Sequence, residues 1–469
     1  MPETPTMARA LARNLIVARL PGRDASFVIS PLTGEADLLS HDEAEALGSG
    51  HPEAVPDLAE RDYLLPPDEE QRLLRQAFLR FLDGRAQDEV QVFYVPTYAC
   101  NFGCGYCFQN SYAQPAPDHD PAVIPAFFDD LARRFAGRRF YVTVFGGEPL
   151  LPGPRARRDL AQMVDEASRR GVDLAVVTNG YHLESYLDLL GRATLREIQV
   201  TLDGPAAVHD QRRPLKGGGA TFDAVVRGID AAIARGLPIN LRVVVDKDNL
   251  ASLVELAALA RAHGWLAAPG FKTQLGRNYE LHECQADRTA LYDRLALYQA
   301  FFELARAHPE VLELHRPSFH VARQLADTGE LPEPLFDACP ACKTEWAYDF
   351  TGAIYPCTAT VGKAGEQVGS FYPVASLDEE KVAAWQDRDV LAIPECRDCP
   401  SKLVCGGGCG ALAKNQHGRI AAPDCRPVPE MIGLGLALYI DDEDVGAHAT
   451  ASTGCACTDE GRAQPSQER

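Results

Sequence analysis

The sequence predicts an α/β fold in which parallel strands alternate with helices and curl into a barrel or an open partial barrel. Residues 88–270 alternate short apolar segments with amphipathic ones. The apolar segments are rich in β-branched residues, as expected for strands covered by helices on both faces. A polar or glycine-rich group follows the apolar segments. Because chemistry in parallel barrels gathers at the carboxyl ends of the strands, we expect the functional site at that edge.

Five strands and five helices are predicted within this stretch. The strands are 90–95, 140–145, 173–178, 197–202 and 239–245. The helices are 122–135, 157–170, 183–190, 221–235 and 250–263.

At 469 residues the chain exceeds the usual size of a single core, so several domains are expected. The segment 441–469 is acidic and lacks aromatic residues, which predicts disorder. The predicted units are an α+β unit at 1–86, the barrel at 87–270, a helical bridge at 271–335, a cysteine-rich domain at 336–440 and the tail at 441–469.

The amino-terminal unit is predicted to hold three short strands and two helices. Proline and glycine turn signals separate the strands, and Ser40 can cap the first helix. The strands are 15–20, 26–30 and 35–39, and the helices cover 43–47 and 68–81. Further along, amphipathic patterns predict a long helix at 287–307 and a closing helix at 428–440.

Composition excludes several classes of function. The net charge of −20 argues against a nucleic-acid partner, because phosphate binding needs a basic surface. No secretory signal is recognisable at the amino end, and the longest apolar run, 431–440, is too short to span a membrane. Fourteen cysteines without an export signal indicate a reducing cytoplasm and metal ligation rather than disulfides.

Three cysteines follow the first predicted barrel strand. Cys100, Cys104 and Cys107 are spaced too regularly for chance, so buried thiols or a disulfide are disfavoured. A cubane iron–sulfur cluster normally takes four thiolates, and three leave one iron open to a substrate. With Tyr106 directly before the last cysteine, the triplet resembles the signature of the radical S-adenosylmethionine (SAM) superfamily.

The resemblance extends to the strand ends and implies a six-unit partial barrel. The second strand ends in a Gly-Gly-Glu-Pro motif, which in the family holds the ammonium group of SAM, so Gly147, Glu148 and Pro149 inherit that role. The later strand ends, continuing to His209 and Asp210, resemble the family's pattern around the SAM ribose and carboxylate. The SAM contacts implied in this way are Tyr106, Gly146, Gly147, Glu148, Pro149, Thr178, Asn179, Thr201, Asp203 and Arg213.

Eight further cysteines lie near the carboxyl end, and their spacing resembles the SPASM domain, an auxiliary-cluster extension of some radical SAM enzymes. The resemblance implies two fully protein-ligated clusters, and hence three 4Fe–4S clusters in all. One cluster would take Cys339, Cys342, Cys357 and Cys409, and the other Cys396, Cys399, Cys405 and Cys425. The alternative metal is zinc, which fits 396–409 on spacing alone. Cys284, Cys455 and Cys457 fit no ligand position.

Together the motifs imply an enzyme whose reduced cluster splits SAM into methionine and a 5′-deoxyadenosyl radical, which then abstracts hydrogen from a substrate. The expected substrate is a ribosomally made precursor peptide that receives a thioether or carbon–carbon crosslink. The expected electron donor is an external flavodoxin or ferredoxin. In chains of this kind the amino-terminal unit often grips the peptide as an added strand, although it could instead be a packing cap.

Two alternative functions stay open. Sulfatase-maturing relatives carry an Asp directly after the third auxiliary cysteine, where this chain has Thr358, and this departure disfavours oxidation of a Cys or Ser side chain. A non-catalytic iron–sulfur electron carrier would not need the Gly-Gly-Glu-Pro and Thr-Asn-Gly motifs that resemble a SAM-binding shell.

Overall fold

The computed structural model describes residues 10–55, 58, 62–107, 109, 120–277 and 290–440. The sequence predicts disorder over residues 1–12 and in the tail; residues 1–9 and the tail lie outside these ranges, as do Cys284, Cys455 and Cys457. The prediction is wrong for Ala10–Leu11, which form a strand paired with Leu64–Leu65. Among the described helices, none is long and apolar enough to cross a bilayer.

The amino-terminal unit contains a three-stranded antiparallel sheet in the order β2-β3-β4. Ser40 caps α1 through a capping box with Glu43, as its position predicts. The elements are β1 Ala10–Leu11, β2 Ile16–Arg19, β3 Ala25–Ser30, β4 Glu35–Ser40, α1 His41–Gly48, β5 Leu64–Leu65 and α2 Pro67–Gln87, with a 3-10 turn at Pro52–Ala54.

The predicted barrel is a sheet of six parallel strands, β6 to β11 in chain order, with helices in the connections. The strands are β6 Val90–Val95, β7 Phe140–Val144, β8 Leu174–Thr178, β9 Leu195–Thr201, β10 Ile239–Val245 and β11 Lys272–Arg277. The helices are α3 Val123–Arg134, α4 Pro154–Arg170, α5 Leu183–Leu190, α6 Ala206–Arg212, α7 Phe222–Ala234 and α8 Leu253–Ala262, with 3-10 turns at Leu250–Ser252 and Trp265–Ala267.

The five predicted barrel strands are confirmed to within two residues at each end. The sixth strand, β11, lies beyond residue 270, where the barrel was expected to end. It pairs in parallel with β10, but four of its six residues are polar and none is fully buried, so it lacks the apolar signal of its neighbours. The short helix α6 was also not predicted.

The rest of the chain packs around the barrel. The predicted helix at 287–307 begins later, at Arg294, because the Asp293 carboxylate accepts the Ala296 N–H at 2.8 Å and caps it there. The helices of the bridge are α9 Arg294–Ala307, α10 Val311–Leu314 and α11 Ala322–Thr328.

The cysteine-rich region continues the barrel sheet. Strand β12 pairs in parallel with β6, so one ten-stranded sheet crosses the predicted boundary at residue 336. The remaining elements are β12 Glu345–Asp349, β13 Ala353–Tyr355, β14 Gly369–Ser370, β15 Ser376–Leu377, α12 Glu379–Gln386, α13 Lys402–Cys405, α14 Gly410–His417 and α15 Val428–Tyr439, with a 3-10 turn at Pro394–Cys396.

The amino-terminal unit is fixed to the carboxyl-terminal region at two places. Helix α15 packs on β2 so closely that a side chain on Gly433 would lie 2.1 Å from the Arg19 carbonyl oxygen. Helix α2 places the rings of Phe78 and Phe81 at 5.1 and 5.6 Å from that of the buried Phe336. Strand β4 pairs only with β3 among the described residues, so no described strand occupies its other edge.

Candidate functional site

The loop that carries the first three cysteines leaves the carboxyl end of β6. Backbone hydrogen bonds tie it to the segment after α6: the Gly103 N–H donates to the Pro214 carbonyl at 2.8 Å, and the Lys216 N–H donates to that of Asn101 at 2.7 Å. Cys104 is buried, whereas Cys100 and Cys107 are half-buried. The loop is therefore held in place with three thiols on a short stretch of chain.

The glycine pair after β7 packs directly against this loop. A side chain on Gly147 would place its Cβ 2.1 Å from the Ala99 carbonyl oxygen, and one on Gly146 would meet Val95 at 2.7 Å. The close approach lets the Glu148 N–H donate to the Ala99 oxygen at 2.9 Å. Glycine is required here because the two loops touch backbone to backbone.

Glu148 joins the ends of β7 and β8. Its buried carboxylate accepts hydrogen bonds from the Thr178 hydroxyl at 2.6 Å and the Asn179 N–H at 2.7 Å. Burial raises the pKa of Glu148, and these hydrogen bonds act in the opposite direction. The side-chain amide of Asn179 in turn donates to the Asn101 side chain at 2.8 Å, and its nitrogen lies 3.8 Å from the Cys100 sulfur. A hydrogen-bond chain thus links the first cysteine to two strand ends.

Tyr106 connects the cysteine loop to the end of β9. Its hydroxyl donates to the Asp203 carboxylate at 2.5 Å and accepts from the buried Arg213 at 2.5 Å. Burial lowers the pKa of His209 to about 4, so this side chain is neutral near pH 7, and its Nδ1 accepts the Asp203 N–H at 3.2 Å. Four residues singled out in the sequence therefore meet in one buried network.

The remaining predicted SAM contacts lie at the same edge. Thr201 closes β9 and is buried. Pro149 lines a mainly apolar cavity of about 260 Å³ between β6, β7 and α4. Sequence reasoning missed Arg212, whose guanidinium lies 2.8 and 2.9 Å from the two Asp246 oxygens. Asp246 is the first residue after β10 and Asp203 is the second after β9, so an acidic residue at each strand end was the available signal for a partner of Arg212.

The eight later cysteines come together in two sets of four. In the first set, burial raises the pKa of Cys357 strongly, and the neighbouring thiols of Cys339 and Cys409 raise it further. Burial also raises the pKa of Cys342, to about 12, and the neighbouring thiol of Cys339 acts in the same direction. These side chains come from three separate segments, so the fold rather than the local sequence assembles the set.

The second set behaves in the same way but lies nearer the surface. Burial raises the pKa of Cys396 to about 11, and the thiols of Cys405, Cys399 and Cys425 reinforce that shift. Cys425 is exposed and Cys399 is half-buried. The division of these thiols between two clusters stays a prediction of the SPASM resemblance.

The donor sets consist of thiols, and thiolates are the usual ligands of iron–sulfur clusters. Within the described ranges, no three His, Cys, Asp or Glu side chains converge closely enough to hold one metal ion. A cubane spreads its thiolates over four iron atoms, so its ligands stand further apart. Sets of three or four clustered, mostly buried thiols are the donors that such clusters use.

The sequence model of the radical SAM superfamily matches residues 94–260, a range that contains the cysteine loop and the strand-end motifs. The chain contains a radical SAM domain at residues 94–260. SAM binding and the superfamily's iron–sulfur cluster therefore belong to it, and the predicted partial-barrel α/β fold is confirmed.

Relatives of the enzyme include maturases. It is 27% identical over 329 residues to the mycofactocin maturase MftC of Mycobacterium ulcerans, which covers 67% of this chain and 81% of that protein. It is 26% identical over 336 residues to the serine-type anaerobic sulfatase-maturating enzyme of Klebsiella aerogenes, which covers 67% of this chain and 79% of that protein.

Solved structures share the fold. SuiB of Streptococcus suis bound to its precursor peptide SuiA aligns with a TM-score of 0.52 at 15% identity, covering 90% of this chain and 99% of SuiB. The structure of anSMEcpe with bound AdoMet aligns with a TM-score of 0.56 at 16% identity, covering 77% of this chain and 99% of that one.

Proposed function

We propose that the enzyme is a maturase that uses SAM to modify a ribosomally made precursor peptide, joining a side chain by a thioether or carbon–carbon bond. The observation that carries the proposal is the β4 edge that no described strand occupies, on a unit packed on the carboxyl-terminal region of a chain with a radical SAM domain. The names of MftC and SuiB's bound peptide support a peptide substrate. SuiB also aligns over more of the chain than anSMEcpe does.

We assign the SAM-binding cluster to Cys100, Cys104 and Cys107. When bound, this cluster and SAM supply the hydrogen-abstracting chemistry. The protein's own part is placement: the Glu148 hydrogen bonds fix the Asn179 backbone beside Cys100, and Tyr106 fixes the far end of the loop. The charged groups of this edge are buried and paired, which prepares a site that excludes water.

We assign two auxiliary clusters to the eight later cysteines. The set with the exposed Cys425 lies nearer the surface than the set around the buried Cys357, so it is the better placed to receive electrons. An external flavodoxin or ferredoxin would serve as donor, and a reducing cytoplasm is the compartment that suits unpaired thiols.

The amino-terminal unit is the proposed binding site for the peptide. A strand added to the edge of β4 that no described strand occupies would satisfy its own backbone groups, so affinity would need few side-chain contacts. A groove of about 660 Å³ lies beside the β3–β4 turn and the start of α2. Among the described residues that line it, Asp62, Asp68 and Glu69 are acidic and only Arg72 is basic, so it favours a basic peptide segment.

The test compares two versions of the peptide that differ only in which backbone N–H groups are available for strand pairing. A strand pairs with an edge through the N–H groups of alternate residues, so a leader peptide N-methylated in one register should lose binding. The same peptide methylated in the other register should keep it. Equal binding of both peptides by titration calorimetry would remove the strand-addition role, and the packing-cap interpretation would then hold.

Deletion of the amino-terminal unit is a poor test. A cut at residue 84 falls inside α2 and strips the aromatic cover from Phe336. The exposed apolar surface would favour aggregation, whatever the unit recognises.

A second candidate function is oxidation of a Cys or Ser side chain in a sulfatase. The Thr358 N–H and hydroxyl both donate to the half-buried Glu345 carboxylate, at 2.7 and 2.8 Å, so an acid lies beside the position where sulfatase-maturing relatives carry Asp. The two functions are separated by incubating the enzyme with a short sulfatase peptide and with a precursor peptide encoded by a neighbouring gene. Only one of the two peptides should lose hydrogen.

A further inference from the structure

One cation is buried between the two four-cysteine sets. Arg388 lies on the segment after α12, and its side chain is 0% exposed. Its guanidinium donates to the Asp337 carboxylate at 3.1 Å, the Gly407 carbonyl at 2.6 Å and the Ala422 carbonyl at 3.1 Å, and its Nε donates to the Ile420 carbonyl at 3.0 Å. The planar guanidinium thus holds three separate segments at once.

Those segments carry cysteines of both sets. The Asp337 carboxylate accepts the Cys339 N–H at 3.0 Å, which connects Arg388 to the first set. Gly407 stands between Cys405 and Cys409, one of each set. A Cβ placed on Gly410 would lie 3.1 Å from the Cys339 sulfur and 3.3 Å from the Arg388 Cδ, so that sulfur and the arginine stem are near neighbours.

Around Asp337 the neighbouring cations outnumber the carboxylate. Lys343 is also buried, and its Nζ lies 2.6 Å from the second Asp337 oxygen. Two buried cations therefore share one buried anion, and Arg85, 3.7 Å from Asp337, adds a partly exposed third cation. Buried charge without a counter-charge is costly. A cluster held by four thiolates is an anion, and reduction makes it more negative, so clusters on both sides would supply the missing charge.

We propose that Arg388 is a positioning residue and counter-charge shared by the two auxiliary clusters, so that it raises both reduction potentials together. This inference rests on the cluster assignment made under the proposed function. A cation stabilises the reduced form of a cluster more than the oxidised form, because the reduced form carries more negative charge. A change of charge at one cluster site would therefore alter the reduction potential at the other through Arg388.

The test is an EPR-monitored redox titration of the full chain, reconstituted anaerobically with Cys100, Cys104 and Cys107 replaced by Ala. In this background Arg388→Gln should lower the reduced-to-oxidised ratio of both auxiliary clusters at least tenfold at a fixed potential, about 59 mV for one electron. Asp337→Asn, which removes the anion, should raise both ratios. The two opposite shifts separate a charge effect from simple damage, which would move both variants the same way.

One control variant removes a different cation near the clusters, and the other keeps the positive charge at position 388. Arg419→Gln removes a cation that pairs with Glu395, next to Cys396, but is 46% exposed, so water should keep its effect below about twofold. Arg388→Lys keeps the positive charge but loses the planar set of guanidinium donors. Its reduced-to-oxidised ratios should therefore stay closer to those of the parent than the ratios of Arg388→Gln do. If Arg388→Gln does not retain both clusters, the Asp337→Asn shift decides.

The outcomes separate this inference from the function beneath it. Iron far below about eight atoms per chain in the parent background would overturn the ligand assignment itself. Full iron with unmoved potentials, a shift in only one cluster, or shifts of the same sign in Arg388→Gln and Asp337→Asn would overturn the shared role of Arg388.

Discussion

Gly147→Ala should disable the site through backbone geometry alone. The new Cβ would lie 2.1 Å from the Ala99 carbonyl oxygen and 2.6 Å from that of Tyr98, whereas ordinary contacts between such atoms are over 3 Å. The two loops must therefore separate by about 1 Å, one residue before Cys100. Misplacement by about 1 Å can cost about a hundredfold in rate, so we expect at least that loss in 5′-deoxyadenosine formation.

The assay measures SAM cleavage by the reconstituted enzyme with a chemical reductant and without peptide. Gly103→Ala is the matched control, because it lies in the same loop and its Cβ would approach neighbouring atoms no closer than 3.9 Å. The control should retain most of the cleavage rate and the same iron content. A wild-type rate for Gly147→Ala, or an equal loss in Gly103→Ala, would refute the close-approach reasoning.

Further predictions concern stability and the remaining thiols. Tyr348→Phe removes a buried hydroxyl that donates to Asp130 on α3 at 2.9 Å, and should cost about 1–3 kcal/mol in denaturant unfolding. Phe336→Ala empties the aromatic contact under α2 and should cost about 3–5 kcal/mol by the same measurement. Burial raises the pKa of Cys104 to about 11, and iron binding needs the thiolate, so iron uptake followed by absorbance should increase as pH rises from 7. A Cys455→Ser, Cys457→Ser double variant should keep every cluster, and loss of iron would show the ligand assignment to be wrong.

The fold could be predicted where burial of an element produces a recognisable pattern of apolar residues in the sequence. Strands covered on both faces, such as β6 and β10, are nearly continuous apolar runs, and their predicted ends match the structure. Strand β11 lies at the end of the sheet and is only partly buried, so composition does not reveal it. The pairing of β12 with β6 is a contact between distant segments that no local pattern reports.

The site was predictable where its chemistry depends on spacing along the chain. The cysteine triplet and the glycine pair fall in this class. Arg388 and Glu345 could not be singled out, because their roles depend on segments that meet only in the folded protein. A lone arginine or glutamate in a polar sequence carries no signal of burial.

Iron analysis of two proteins tests the central assignment most directly. Wild-type enzyme after anaerobic reconstitution should hold about twelve iron atoms per chain, in three 4Fe–4S clusters. Replacing Cys100, Cys104 and Cys107 together with Ala should remove about one third of that iron and abolish SAM cleavage, while the chain stays folded. Zinc in place of iron, or full iron retention in the triple variant, would contradict the account.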